Sequence, residues 1–302
     1  MLSIIIPTFN RVNIGGRNNL AMTLMGLDLQ TKKDFEVIVV DDGSTDGTDK
    51  WVEKNKDTYS FPIKYHFMGE NKGYRQCKAR NQGARLADKK SSAYMFLDSD
   101  IILEPDTIEK YIKHYKSNPN RVVIGMYYWG FPVKTEIEDI KNFKELFSEN
   151  RPTIEGATPH GMQGIDPRFE MFNSTKPNEL HWKLGTYLGC WGGNLLVPKH
   201  IFMDVAKGQM EANPEENKDE FCGYDENYTA PTEDGDFGLM LMRRGWAISM
   251  DKTIYAYHLW HPRNIKNIQK VNEPNIKYLN DKYKISVLDE TKIVQREEYK
   301  IE

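Results

Sequence analysis

The chain lacks the features that mark several whole classes of protein. It contains no run of about 18 consecutive apolar residues, so no transmembrane helix is predicted. No charged-then-apolar leader precedes strand residues that begin at Leu2, and the expectation is a soluble, cytoplasmic protein without an encoded anchor. Lysines near the end, Lys266, Lys270 and Lys277, are mixed with acids and allow at most a peripheral contact with a membrane. Charge of one sign is also missing. Lys plus Arg number 41 against 44 Asp plus Glu, a net charge of −3, so no basic field recruits nucleic acid. Cysteine is scarce, and Cys77, Cys190 and Cys222 are far apart and in no metal-type spacing, which reads as reduced structural thiols. No G-x-G-x-x-G follows the first strand, which disfavours a dinucleotide oxidoreductase. There is no internal repeat, and the sequence sets no oligomeric state.

What the chain does have is a pair of acidic motifs, each ending an apolar strand. FEVIVV runs into Asp41-Asp42-Gly43-Ser44, and AYMFL runs into Asp98-Ser99-Asp100. In an open α/β sheet ligands collect at the carboxyl ends of the strands. Two acidic clusters at one rim repel unless a cation or hydrogen-bond donors lie between them, which points to a divalent metal and a hydroxyl-rich ligand such as a nucleotide.

The pattern around these motifs alternates. Strands are predicted at residues 2–6, 35–40, 63–68 and 93–97, with helices over 18–30, through Trp51 and Val52 after capping side chains at 44–46, and over 76–86. This predicts an α/β fold with a mostly parallel central sheet flanked by helices. Beyond Pro105 a helix over 106–116 and a strand over 122–129 follow. Residues 134–184 are polar, Pro-interrupted and weakly periodic, which reads as long loops and short helices. Order returns at 189–198, in a helix at 234–243 and in strands at 247–258. The segment after Pro262 is charged and helix-compatible. The division expected is a first half at 1–105, a second half at 106–262 and a tail at 263–302.

Taken together, IIIPTFNR (4–11), VVDDGSTDGT (39–48), the NKG and ARN elements (71–73 and 79–81) and LDSD (97–100) resemble the family 2 glycosyltransferases of GT-A fold. WGGNLLVP (191–198), EDGDFG (233–238) and YHLWHP (257–262) look like the second half of that fold, with a likeness to galactosyltransferase-like and polypeptide N-acetylgalactosaminyltransferase-like members. The resemblance covers about residues 2–262. It implies that Asp41, the backbone around Pro7 and Thr8, and Arg11 recognise the nucleoside. It makes Asp98-Ser99-Asp100 the DXD motif, with Asp98 on the ribose and Asp100 on a metal bridging the diphosphate, Mn²⁺ or else Mg²⁺. A C-terminal imidazole would complete the metal site, at His258 by the family pattern and otherwise at His261.

The same resemblance puts the general base on Asp234, with Glu233 the alternative, at the start of a helix whose dipole favours the carboxylate form. Trp191 and Gly193 would meet the donor, and Trp191 with Asn194 would form the acceptor platform, since sugar rings stack on indole. Arg80 suits a sugar or diphosphate oxygen, or else a surface ion pair. The chain departs from the pattern where an Arg is often found on the Asp234 helix, for Met240 stands there and Arg243 and Arg244 come a turn later. Of Tyr127, Tyr128 and Trp129, at least one must be core.

The activity implied is metal-dependent, inverting transfer of a sugar from a nucleotide donor, a UDP-sugar, to an acceptor hydroxyl in glycan or polysaccharide synthesis. The rivals are a sugar nucleotidyltransferase, for which PTFNR occupies the turn a triphosphate loop needs, and a non-catalytic carbohydrate-binding protein of the same fold. Residues that select donor sugar and acceptor are expected in 134–184 and 208–232.

Overall fold

The computed structural model describes residues 1–129, 140, 164–165, 189–259, 261 and 268–284. Most of the loop region expected at 134–184 lies outside the described residues, as do Trp260, Pro262 and Lys266.

Among the described residues nine strands form one sheet. They are β1 (Leu2–Thr8), β2 (Phe35–Asp41), β3 (Ile63–Phe67), β4 (Ala93–Leu97), β5 (Ile101–Leu103), β6 (Arg121–Trp129), β7 (Gly164–Ile165), β8 (Asn194–Pro198) and β9 (Ala247–His258). The order is β3-β2-β1-β4-β8-β6-β9-β5, with β7 paired to β6. The helices with described bounds are α1 (Asn19–Asp28), α2 (Thr48–Asn55), α3 (Gln76–Leu86), α4 (Thr107–Ser117), α5 (Lys199–Ala212), α6 (Glu233–Arg243) and α7 (Ile268–Tyr283). Strands β1 and β2 are buried along their whole length, which is why LSIIIPT and FEVIVVD read as unbroken apolar runs rather than alternating ones. One core gathers Ile5, Phe96, Phe202, Tyr224 and Phe237, the other Ile4, Val37, Met95, Leu97 and Val123, so consecutive residues of β1 serve opposite faces.

Three registers decide where the functional residues fall. The quartet β3-β2-β1-β4 is parallel, with Thr8 opposite Asp41 and Asp41 opposite Phe67, so its carboxyl ends form one rim. Strand β8 runs antiparallel to β4 with Asn194 opposite Leu97, which returns residues 189–193 to that rim. Strand β9 runs parallel to β6 but antiparallel to the edge strand β5, with His258 opposite Ile101.

The cap of α2 is Gly47, without a side-chain hydrogen bond, rather than a residue of the 44–46 trio, although Asp46 reaches the first helical residue from just outside. Asp46 Oδ1 accepts from the Thr48 hydroxyl at 2.5 Å and from the Thr48 N–H at 3.2 Å. Ser44 instead accepts from the Asn10 N–H at 2.8 Å and ties the turns after β1 and β2 together. Helix α5 occupies a stretch left unassigned by the sequence reading, and it buries Ile201, Phe202, Val205 and Ala206. Cys77, Cys190 and Cys222 are free and buried. Among the described residues no helix is long and apolar enough to cross a membrane.

Candidate active site

At the β5/β9 edge the register places Asp100, just before β5, beside His258, the last residue of β9. A hydrogen bond from the Leu259 N–H to the Asp100 carbonyl at 2.8 Å fixes the two strand ends together. His258 Nε2 lies 3.7 Å from Asp100 Oδ1, and His261 Nε2 lies 3.3 Å from Asp100 Oδ2. The ligand atoms of Asp100, His258 and His261 all lie within 4.8 Å of one another. One carboxylate with two imidazoles suits Mn²⁺ better than Mg²⁺, which prefers an all-oxygen shell. Arg11 Nε is 3.3 Å from Asp100 Oδ2, which brings this arginine beside the same cluster.

A second cluster lies at the centre of the rim, around Arg80 of α3. Its guanidinium is 1% exposed, which overturns the surface-pair alternative and removes it from direct reach of a sugar. Nη1 donates to Glu233 Oε1 at 3.0 Å and to Asp234 Oδ1 at 2.8 Å, while Nη2 donates to Asp98 Oδ1 at 3.2 Å. The face of Tyr224 lies 4.9 Å from its carbon centre. Arg80 therefore joins the DXD strand end to the first turn of α6. Gly192 and Gly193 make this closeness feasible, because a Cβ on Gly192 would come within 2.6 Å of Asp234 Oδ1 and one on Gly193 within 2.6 Å of Asp98 Oδ2.

The two acids that open α6 are not equivalent. Glu233 is buried, and its oxygens accept from Arg80 and, at 2.9 Å, from the Thr232 N–H, so it is a structural partner of Arg80 and no longer a candidate base. Asp234 keeps a partly exposed side chain. Burial pushes its carboxyl up, against the pull of Arg80 and with added repulsion from Glu233, to about 7. Burial likewise raises the carboxyl of Asp98, again opposed by Arg80.

At the end of β2 the carboxylate expected to meet the nucleoside already has protein partners. Asp41 is fully buried, with Oδ1 accepting from the Ser44 N–H at 2.8 Å and Oδ2 from the Tyr65 hydroxyl at 2.7 Å. Its two carboxylate oxygens brace the turn, since as the last residue of β2 it faces into the sheet. Asp42 is also buried, at 8% exposure, and is paired with Arg75 Nε at 2.5 Å. Pro7 and Thr8 lie within β1, and the Thr8 carbonyl accepts from the Asp42 N–H at 2.9 Å. Gly43 has φ +85, and a Cβ there would meet the Asn71 backbone nitrogen at 2.4 Å, so the loop after β3 closes directly over this turn. Phe9 and Phe67, each at the end of a rim strand, are exposed. Neither was singled out from the sequence, although their position after an apolar run was the available signal.

Asn194 is displaced from the acceptor platform. It is fully buried in β8, where Oδ1 accepts from the Tyr111 hydroxyl at 2.7 Å and Nδ2 donates to the Met126 carbonyl at 3.4 Å. Trp191 stays partly exposed at the rim, packed on the core cluster of β1 and β4. Tyr127 is core, as one of the three consecutive aromatics had to be.

Residues 3–204 match the model of glycosyl transferase family 2. The chain is 30% identical over 268 residues to validoxylamine A glucosyltransferase of Streptomyces hygroscopicus subsp. jinggangensis, across 87% of this chain and 56% of that protein. It is 28% identical over 281 residues to chondroitin synthase of Escherichia coli, across 91% of this chain and 37% of that one. The chain thus spans about half the length, or less, of these curated relatives. Among solved structures, S. aureus TarS 1-349 in complex with UDP-GlcNAc superposes with a TM-score of 0.56 at 16% identity, covering 97% of this chain and 69% of that 1-349 chain. A mannosyltransferase of Pyrobaculum calidifontis, in complex with GDP-Man and Mn²⁺, gives 0.53 at 14%, covering 94% of this chain and 63% of that one. Both likenesses show the α/β architecture of GT-A glycosyltransferases. On its match across two thirds of its length, the chain belongs to glycosyl transferase family 2.

Proposed function

We propose that the protein is a metal-dependent, inverting glycosyltransferase that moves a sugar from a UDP-sugar to an acceptor hydroxyl in glycan or polysaccharide synthesis. The observation that carries this reading is the joining of Asp98, Asp234 and Arg80 at one strand rim, next to the cluster of Asp100, His258 and His261. Asp42 is the carboxylate for the nucleoside in place of Asp41. Asp98 contacts the ribose, Trp191 offers an indole face to the sugar, and Asp100 with His258 and His261 would hold the ion. A divalent ion there would neutralise charge developing on the departing nucleoside diphosphate. Asp234 accepts the proton of the acceptor hydroxyl as that oxygen attacks the anomeric carbon, while Arg80 fixes its orientation.

Support for a UDP-sugar comes from the UDP-GlcNAc complex of TarS, and for polysaccharide synthesis from the chondroitin synthase likeness. The finer likeness of the second half to galactosyltransferase-like and N-acetylgalactosaminyltransferase-like enzymes rests on EDGDFG opening α6 and on His258 closing β9. We assign nucleotide binding to residues 1–105 and acceptor binding and catalysis to 106–262. Three free, buried thiols agree with a cytoplasmic setting.

A thermal-shift panel of UDP, GDP, CDP and ADP, each with Mn²⁺, Mg²⁺ or EDTA, tests the donor and metal parts. At about 100 times its dissociation constant a ligand adds roughly 2.7 kcal/mol of stability. A shift is expected with UDP and Mn²⁺ and none in EDTA. No shift with any nucleotide would favour the non-catalytic reading, and pyrophosphate release from a nucleoside triphosphate plus sugar phosphate would establish a nucleotidyltransferase.

The pH dependence is a separate prediction. The base must be ionised, and the carboxyl of Asp234 is raised to about 7. The rate of UDP release at saturating donor should therefore climb as pH rises through about 7 and level off above it. A rate flat from roughly pH 5 to 8 would remove Asp234 as the titrating base.

A further inference from the structure

Helix α7 is bound to the inner side of the acidic helix. The Lys282 ammonium, 5% exposed, lies 2.6 Å from Asp225 Oδ2 and 2.7 Å from Asp236 Oδ1, both carboxylates being fully buried. Gln209 accepts from Lys282 at 2.6 Å and donates to Asp236 Oδ2 at 2.6 Å, and the Tyr228 hydroxyl donates to Asp236 Oδ1 at 3.2 Å. The Tyr283 hydroxyl donates to the Asp236 carbonyl at 3.1 Å, and the Tyr278 hydroxyl to Asp225 at 2.8 Å. Asp225 also accepts from Asn217 and Asn227, so the loop leading into α6 is tied to the same point.

Asp234 and Asp236 share the first turn of α6, two residues apart, and so point to nearly opposite sides of the helix. One side is bound by Arg80 from the N-terminal half of the chain, the other by Lys282 from the C-terminal helix. We propose that Lys282 is a positioning residue, holding the first turn of α6 so that Asp234 stays aligned with Arg80 and the acceptor. This rests on the reading of Asp234 as base. The physical reason is that a buried carboxylate cannot be left without its cation. Without Lys282, Asp225 and Asp236 would repel, and the turn would shift toward water. A displacement of about 1 Å at a reacting group costs on the order of a hundredfold in rate.

The test compares Lys282→Met and Lys282→Arg in the full chain by three readouts. These are UDP binding with Mn²⁺ by calorimetry, amide exchange over residues 233–243, and UDP release from the UDP-sugar the wild type turns over. Lys282→Met is expected to bind UDP within about twofold of wild type, to exchange at least about tenfold faster over 233–243 and to turn over about tenfold slower or worse. Lys282→Arg should recover turnover to within about threefold, because the charge is kept. Wild-type exchange and turnover in folded Lys282→Met would overturn the proposal, as would loss of UDP binding in step with turnover. If Lys282→Met does not fold, Lys282→Gln decides, since it keeps a polar group at the cluster and removes the charge that meets Asp225 and Asp236. Faster exchange over 233–243 with slower turnover supports the proposal, and no change in either rejects it. A wild type that binds UDP yet turns over no UDP-sugar would instead sink the base assignment, and the exchange comparison would still decide whether Lys282 holds the turn.

Discussion

Asp234→Asn is expected to lower transfer by about a hundredfold or more while leaving UDP and Mn²⁺ binding within about twofold of wild type. The substitution keeps the size of the side chain and an oxygen that can accept from Arg80 Nη1, now 2.8 Å away. It removes only the ability to take a proton. Because UDP and the ion are assigned to Asp42, Asp98, Asp100, His258 and His261, their affinity should be nearly untouched. The loss should therefore fall on kcat, and the rise of rate through about pH 7 should disappear with it. Steady-state UDP release with and without acceptor measures this. Unchanged turnover in the variant would take Asp234 out of the mechanism, and the buried partner Glu233 offers no replacement.

Arg80→Met is expected to give the largest loss of stability of any single change at this site. The guanidinium is buried and neutralises three carboxylates, one of which, Glu233, is itself buried. Removing one partner of a buried charge pair costs about 3–5 kcal/mol, because the remaining charges stay out of water without compensation. In a chain of this size that is a fall in Tm of roughly 5–15 °C. The sign on Asp234 also follows, since Arg80 holds its carboxyl down and removal moves it further up. Any residual activity should shift to higher pH. Arg80→Lys should rescue only in part, because an ammonium does not reproduce a planar fork that serves Asp98 and α6 together. Circular dichroism melts and pH profiles of the two variants check both points, and a Tm within about 1 °C of wild type for Arg80→Met would refute the buried-clamp account.

The parts of the site that were legible in the sequence are those that depend on local pattern. Apolar runs ending in acids placed Asp98 and Asp100 at a strand rim, and the helical period at 234–243 placed Glu233 and Asp234 at a helix start. What local pattern does not carry is which way a residue turns at a strand end. Asp41 and Asp42 are neighbours in one motif, yet the last residue of β2 is locked by Tyr65 and Ser44 while the next lies outside the sheet. Asn194 was misplaced for a related reason: it follows the glycine turn in sequence but is already in register with Leu97 inside the sheet.

The sequence by itself determined the strand-helix alternation, the acidic rim of a parallel sheet and the residue types gathered there, because hydrophobic period and turn chemistry act over a few residues. Only the tertiary structure decided the partners. Arg80 meets Glu233 across 153 positions, and His258 meets Asp100 through the antiparallel pairing of β5 with β9. His261 joins them, and Lys282 reaches Asp236 from the opposite side of α6. These pairings are set by long-range register and by the need to neutralise each buried charge, neither of which leaves a mark at a fixed spacing along the chain.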